Sequence, residues 1–453
     1  MYTSYIGKKF MEYYKEEYNK PDSYTAKEFF DEVMFPIFFD DERHLMSVKG
    51  SLFFQMNAID GQRRKNKLLD GDENYQSVKK DPKFRLETKI QLHEKIKRKE
   101  LGAHTFVGYG EMKPVAFTSG QITSIDFNFQ TEEFYYSWIG QALAIGTSGF
   151  NILIDDKKIL LHLFTGWVKY RDFMSQNPLL KENQINNWNG FWFSEAFNKD
   201  IDFINYSIIE IQTQNNTSSI KSISWIKIIF VLTKNIKKDN LLIHVYSIGD
   251  KTNTTIGFVN ILFREISTMY ELRDMLFLDK KTTVLSDYQI ERMLPIYSFK
   301  DACKKGTIGL KSIEPEGLRN YIPKGTLNNA KGKDIDIKKE NNFFIYKLWI
   351  IAMLNKKELL DLSRQFAAVL HTAVKDMKRS NRSKTTDIQF VKELFDSRSP
   401  KHFIEQITEL IDKNNFDTLR KLVEEVSLMP RDNFPYFVTL IKFEYNILLT
   451  KED

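Results

Sequence analysis

Near residue 340 the texture of this chain changes. Upstream, short apolar runs alternate with glycines and polar turns; downstream, apolar residues recur every three or four positions to the C-terminus. The first pattern fits short strands mixed with helices, and the second fits amphipathic helices. A chain that carries the two patterns in separate blocks falls in the α+β class: a mixed body with an antiparallel sheet and attached helices, followed by an all-α bundle. The blocks divide it into a mixed body over 1–300, a Gly/Lys-rich linker or functional loop over 301–340 and a helical bundle over 341–453.

Within the body, 1–45 reads as two helices. The second starts at Thr25-Ala-Lys-Glu28, a capping box, presents Phe29, Phe30, Val33 and Met34 as an apolar face, and should end or kink at Pro36. Helical spacing returns over 134–145, with Gly146 placed as a C-cap. The clearest hairpin pairs 150–154 with 157–164 across Asp155-Asp156, and further strands are expected over 122–129, 203–212, 222–233 and 241–248. Trp188 and Trp192 read as packing residues. In the bundle the spacing predicts helices over 342–355, 357–380, 387–396, 400–413, 415–428 and 434–449.

Composition narrows the class of protein. Of 453 residues, 42% are hydrophobic and 14% aromatic, which supports packed cores rather than disorder. The 66 Lys and Arg against 60 Asp and Glu leave a net charge of +6, so clustering of charge matters more than its total. The single Cys303 excludes an internal disulfide and any multi-cysteine metal site. With no signal-like leader and no apolar run long enough to span a bilayer, the expected setting is soluble and cytoplasmic, with no membrane partner.

Chemistry-bearing motifs are sparse. There is no P-loop, no nucleophile elbow, and the seven histidines show no ligand spacing on one helix, so the reading assigns no catalytic residue, metal or cofactor. Asp81 followed by Glu87-Thr-Lys89 matches a restriction-type nuclease in letters, a chemistry that needs the carboxylates and lysine at the ends of adjacent strands.

Basic residues gather in three places. Arg63, Arg64, Lys65 and Lys67 open a charged stretch that closes with Lys97 and Arg98. The loop from Arg319 through Asn320 and Tyr321 to Lys324 joins cations, an amide and an aromatic ring that suit base edges and stacking. Lys375, Lys378, Arg379, Arg382 and Lys384 form a ridge; if 357–384 is one helix, Leu359, Leu362, Phe366, Ala367 and Leu370 lie on another face. A basic face opposite an apolar one can pack on its own bundle and meet phosphates at the same time.

This order of parts, a lysine-rich mixed body followed by a helical bundle without catalytic motifs, resembles the large subunit of type I CRISPR effector complexes (Cascade). The resemblance implies a non-catalytic subunit of an RNA-guided antiviral defence complex, with guide RNA, target DNA and other protein subunits as partners. It also implies that 61–99 or 301–340 contacts duplex DNA beside the target and that the ridge holds displaced strand; in some relatives the helical portion is also made separately from an internal start, and Met353 would yield residues 353–453. Guide pairing would then read most of the sequence. Two other readings stay open: a metal-dependent DNA endonuclease of the restriction or defence type, and a structural protein that binds partners.

Overall fold

The computed structural model describes residues 1–41, 43–48, 51, 53, 82–109, 129–197, 206–214, 217–248, 253–277, 284–323, 334–379, 384–397 and 399–450. The protein is α+β, and its chain divides into two compact units: 1–235 with 241–260, and 236–240 with 261–453. The expected 301–340 segment and the helical bundle both fall inside the second unit.

The first unit opens with helix α1 (Tyr2–Glu17) and α2 (Ala26–Phe29), whose capping box forms as expected between Thr25 and Glu28. Pro36 neither stops nor visibly breaks the chain. Residues Phe30–Phe39 continue α2 as a π-helix, whose wider turn closes from Asp40 N–H to the Phe35 carbonyl at 2.9 Å. The i−5 pattern takes the proline ring that an α-helical interior would not. Arg171 then donates to the Pro36, Ile37 and Asp40 carbonyls that the helix end leaves over.

Next come α3 (Pro82–Lys97), α4 (Thr131–Ala142), β1 (Ile145–Thr147) and β2 (Phe150–Ile154). Helices α1 and α4 cross closely because each offers a glycine to the other's backbone. A Cβ on Gly7 would collide with the Tyr136 carbonyl, and one on Gly140 with that of Thr3. Gly146 sits in β1 rather than capping a helix.

Two expected strands are helices. Residues 157–164 begin α5 (Lys157–Gln176), because the Asp156 carboxylate accepts from Lys158 and Ile159 N–H and so starts a helix where a turn was expected. Ile159, Leu160, Leu163, Trp167, Tyr170 and Met174 then fall at helical spacing and are buried. After α6 (Ile185–Ala196), which buries Trp188 and Trp192, come β3 (Ile211–Gln214) and β4 (Thr217–Ile220), which pair antiparallel. Of the strand expected over 203–212, Tyr206–Ile208 is a 3₁₀ turn and 203–205 lie outside the described residues. The apolar run expected as a strand over 222–233 is α7 (Trp225–Asn235); an apolar run buried on nearly all sides has no period to reveal its type. The strand expected over 122–129 lies outside the described residues except Phe129.

The 234–240 segment joins α7 to β5 (Asn240–Ile248), which takes in the strand expected at 241–248, and β6 (Asn253–Leu262) follows. The pairs β1–β2 and β2–β5 are antiparallel, with Ile152 opposite Ile145 and Val245.

The second unit contains α8 (Phe263–Phe277), α9 (Asp287–Glu291), α10 (Phe299–Cys303) and β7 (Thr307–Ile308). The segment read as a linker is instead anchored where it is described. Its 3₁₀ turns Leu310–Ile313 and Leu318–Asn320 bury Leu310, Ile313 and Leu318. Trp349 donates from Nε1 to the Leu310 carbonyl at 3.0 Å, and the Tyr346 hydroxyl to that of Glu316 at 3.0 Å.

The bundle follows as α11 (Phe343–Leu354), α12 (Glu358–Arg379), α13 (Lys384–Phe395), α14 (Pro400–Thr408), α15 (Phe416–Leu428) and α16 (Phe434–Thr450). All six expected helices are present. Helix α11 is apolar on every side and packs against α8 and α16; its Lys347 forms a buried ion pair with Glu444 at 2.5 Å. Helix α12 packs against α15 and α16. Among the described residues no helix is long and apolar enough to cross a membrane.

Candidate nucleic-acid interface

Helix α12 sorts its residues as the sequence requires. Leu359, Leu362, Phe366, Ala367 and Leu370 are buried, and Lys375 is exposed. Lys378 and Arg379 follow Lys375 at i+3 and i+4, so the helical register puts all three on neighbouring positions at the C-terminal end of α12. Helix α12 is described as far as Arg379, and 380–383, Arg382 among them, lie outside the described residues. Lys384 opens α13.

The loop that begins at Arg319 is a different kind of site. Arg319 grips the buried Glu314 with two hydrogen bonds, Nε to Oε1 and Nη2 to Oε2, each 2.9 Å. This bidentate pair keeps the guanidinium protonated well above its ordinary range and balances its charge. Nη2 also reaches the Tyr297 hydroxyl at 3.3 Å, and Lys305 Nζ lies 3.4 Å from the Tyr297 ring centroid. Lys305 first and then Arg319 hold the Tyr297 hydroxyl below its ordinary pKa. Asn320 is exposed. Tyr321 does not suit the stacking role expected of it: its hydroxyl donates to Glu340 at 2.6 Å, and its ring lies against Tyr346 and Phe443. Lys324 lies outside the described residues.

The early basic stretch divides. Arg63, Arg64, Lys65 and Lys67 lie outside the described residues, while Lys97 and Arg98 are exposed at the end of α3, where Arg98 approaches Glu94 at 3.8 Å. Upstream on α3 the cations turn inward. Arg85 is 8% exposed and 3.5 Å from Asp40; Lys89 lies 3.4 Å from Asp31 and over the Phe35 ring. Asp31 also accepts from Lys27 at 2.8 Å and contacts His93 Nε2 at 2.8 Å, while His93 Nδ1 meets the Tyr135 hydroxyl at 2.7 Å. Burial works against the Asp31 charge, but Lys27, His93 and Lys89 outweigh it and hold the carboxyl below its usual value.

The nuclease spacing does not take the required form either. Glu87 and Lys89 lie on helix α3, not on adjacent strands, and Lys89 serves Asp31. Among the described residues no group of three or more His, Cys, Asp and Glu side chains is placed to hold a metal ion.

Tyr297 and Lys305 were missed in the sequence because they flank α10, eight positions apart, and meet only through the fold. Comparison with family models, with curated proteins and with solved structures returns no match.

Proposed function

We propose that this chain is a non-catalytic nucleic-acid-binding protein that holds a sugar-phosphate strand on its second unit. The observation that carries this is the sorting of α12: an apolar face committed to the bundle, and Lys375, Lys378 and Arg379 clustered at the helix end just before Lys384. Phosphate contact of this kind needs only fixed cations on a packed scaffold, and affinity then falls with salt as counterions are displaced. The finer reading, a large subunit of an RNA-guided defence complex working with guide RNA, target DNA and other subunits, is supported by the order of parts, mixed body before helical bundle.

The test is purification of the full chain with whatever it binds. The expected result is co-purifying RNA of uniform length with further protein subunits, and an affinity for single strands that drops steeply between low and physiological salt. Protein free of nucleic acid that binds neither strand nor duplex at low salt overturns the proposal.

A further inference from the structure

The second unit contains a cleft of about 480 Å³ that no basic cluster in the sequence points to. Its size lies within the roughly 300–1,000 Å³ typical of small-molecule sites. One wall is α9 with Arg292, Met293 and Leu294; the opposite wall is Pro315–Gly317; Asn341, Asn342, Ile345 and Tyr346 complete it.

The walls are fixed by backbone. Pro295 and Pro315 form a β-bridge, with Ile296 N–H donating to the Glu314 carbonyl at 2.9 Å and Glu316 N–H to that of Leu294 at 2.6 Å. Gly317 has φ +88°, and a Cβ there would lie 2.5 Å from the Tyr346 hydroxyl, so the turn requires glycine twice over. On the other wall Ser286 and Gln289 form a capping box that sets α9 in place. Because the Gln289 carbonyl oxygen accepts from Ser286 N–H at 2.8 Å, its amide nitrogen is the group left to donate.

The rim is unusual for a surface. Tyr288 is 62% exposed and Leu294 68% exposed, large apolar groups left to water at the mouth of a cleft whose polar lining is the amides of Gln289, Asn341 and Asn342, the Arg292 guanidinium and the Glu316 carboxylate. The Arg292 guanidinium lies over the Tyr288 ring, its carbon 5.0 Å from the centroid, and Nη1 donates to the Tyr288 hydroxyl, so a cation covers one face of the ring and the other is the face left for stacking. The bridge strand that supplies Leu294 continues to Tyr297, where Lys305 and Arg319 converge.

We propose that this cleft takes one unstacked base of a single-stranded nucleic acid. The base stacks on Tyr288 and Leu294, the amides of Gln289, Asn341 and Asn342 meet its edge, and Arg292 and Lys305 lie along the path of the flanking phosphates. An aromatic face, amide donors and nearby cations in one recess are the elements that recognise bases in single strands. This inference rests on the nucleic-acid reading above and adds a base-binding step to its phosphate contacts.

The test uses the full chain, a fluorescently labelled 15-nucleotide single strand and a duplex of the same sequence, with affinity followed across a salt series. Tyr288→Ala should weaken single-strand binding by about 5- to 100-fold, the range for losing one base–aromatic stack. The salt slope and duplex affinity should not change, and Tyr288→Phe should bind as the parent does. Because Tyr288 is exposed, these variants should fold. Single-strand affinity unchanged in Tyr288→Ala, with the parent still binding, overturns the cleft assignment and leaves the ridge reading standing. A parent protein that binds no strand at all overturns both.

Discussion

Basic sequence meets two different fates in this protein, on α3 in the first unit and at the end of α12 in the second. On α3, Arg85 is buried beside Asp40, and Lys89 joins Lys27 and His93 around Asp31, so these cations serve the packing of their own unit. On α12 the apolar positions occupy the packed face, Lys375 is exposed, and Lys378 and Arg379 follow it at i+3 and i+4. Helical amphipathicity accounts for the contrast. The apolar face of α12 is strongly segregated, which leaves the cations outside; α3 has little such segregation, so its cations are drawn in where aspartates await them. A run of lysines in a sequence is therefore a basic surface only where the helix sorts it there.

The contrast can be broken by exchanging charge at the two places. Replacing Lys375, Lys378 and Arg379 together with glutamate should lower single-strand affinity by roughly two orders of magnitude at low salt and reduce the salt slope by about 2, the share of three phosphate contacts. The thermal midpoint should stay near that of the parent, since the apolar face of α12 is untouched. Binding and melting curves on the same variant check both halves.

Asp31→Ala and Arg85→Ala should do the reverse. The first takes the carboxylate from the partly buried Lys89 and His93, the second removes the buried Arg85 side chain itself, and each should cost about 1–3 kcal/mol of stability in a denaturant titration. Nucleic-acid affinity and its salt slope should match the parent. Loss of affinity in these variants while they remain folded would erase the distinction between the two regions.

The smallest effect is expected at Arg319, which stands between the two cases: exposed, yet balanced by the buried Glu314. Glu314→Gln leaves the guanidinium without its counter-charge and should raise strand affinity a few-fold while steepening the salt slope by up to about 1. An unchanged slope would mean that Arg319 does not face the strand.

What the sequence made legible follows from these particulars. The six helices of the bundle were readable because their apolar residues recur at helical spacing, as at Leu359, Leu362, Phe366 and Leu370. Strand and helix were confused at 157–164 and 222–233, where apolar residues are dense; for the first, the Asp156 cap and the helical spacing that continues through Trp167, Tyr170 and Met174 could have corrected the reading. Pro36 misled because the rule for proline holds for an α-helix, and this helix widens to a π-helix. Of the ridge, Lys375, Lys378 and Arg379 could be read from the period of α12, whereas Lys384 belongs to α13. The pairing of Arg319 with Glu314, the seating of Lys305 over Tyr297 and the cleft at Tyr288 depend on turns and a bridge between distant segments, which local patterns do not encode.

The most direct measurement is to cross-link a 4-thiouridine-substituted single strand to the full chain by light and map the attached peptides by mass spectrometry. The account predicts adducts on the peptides that contain the end of α12 and the start of α13. Adducts confined to α3, with none at 371–392, would contradict it.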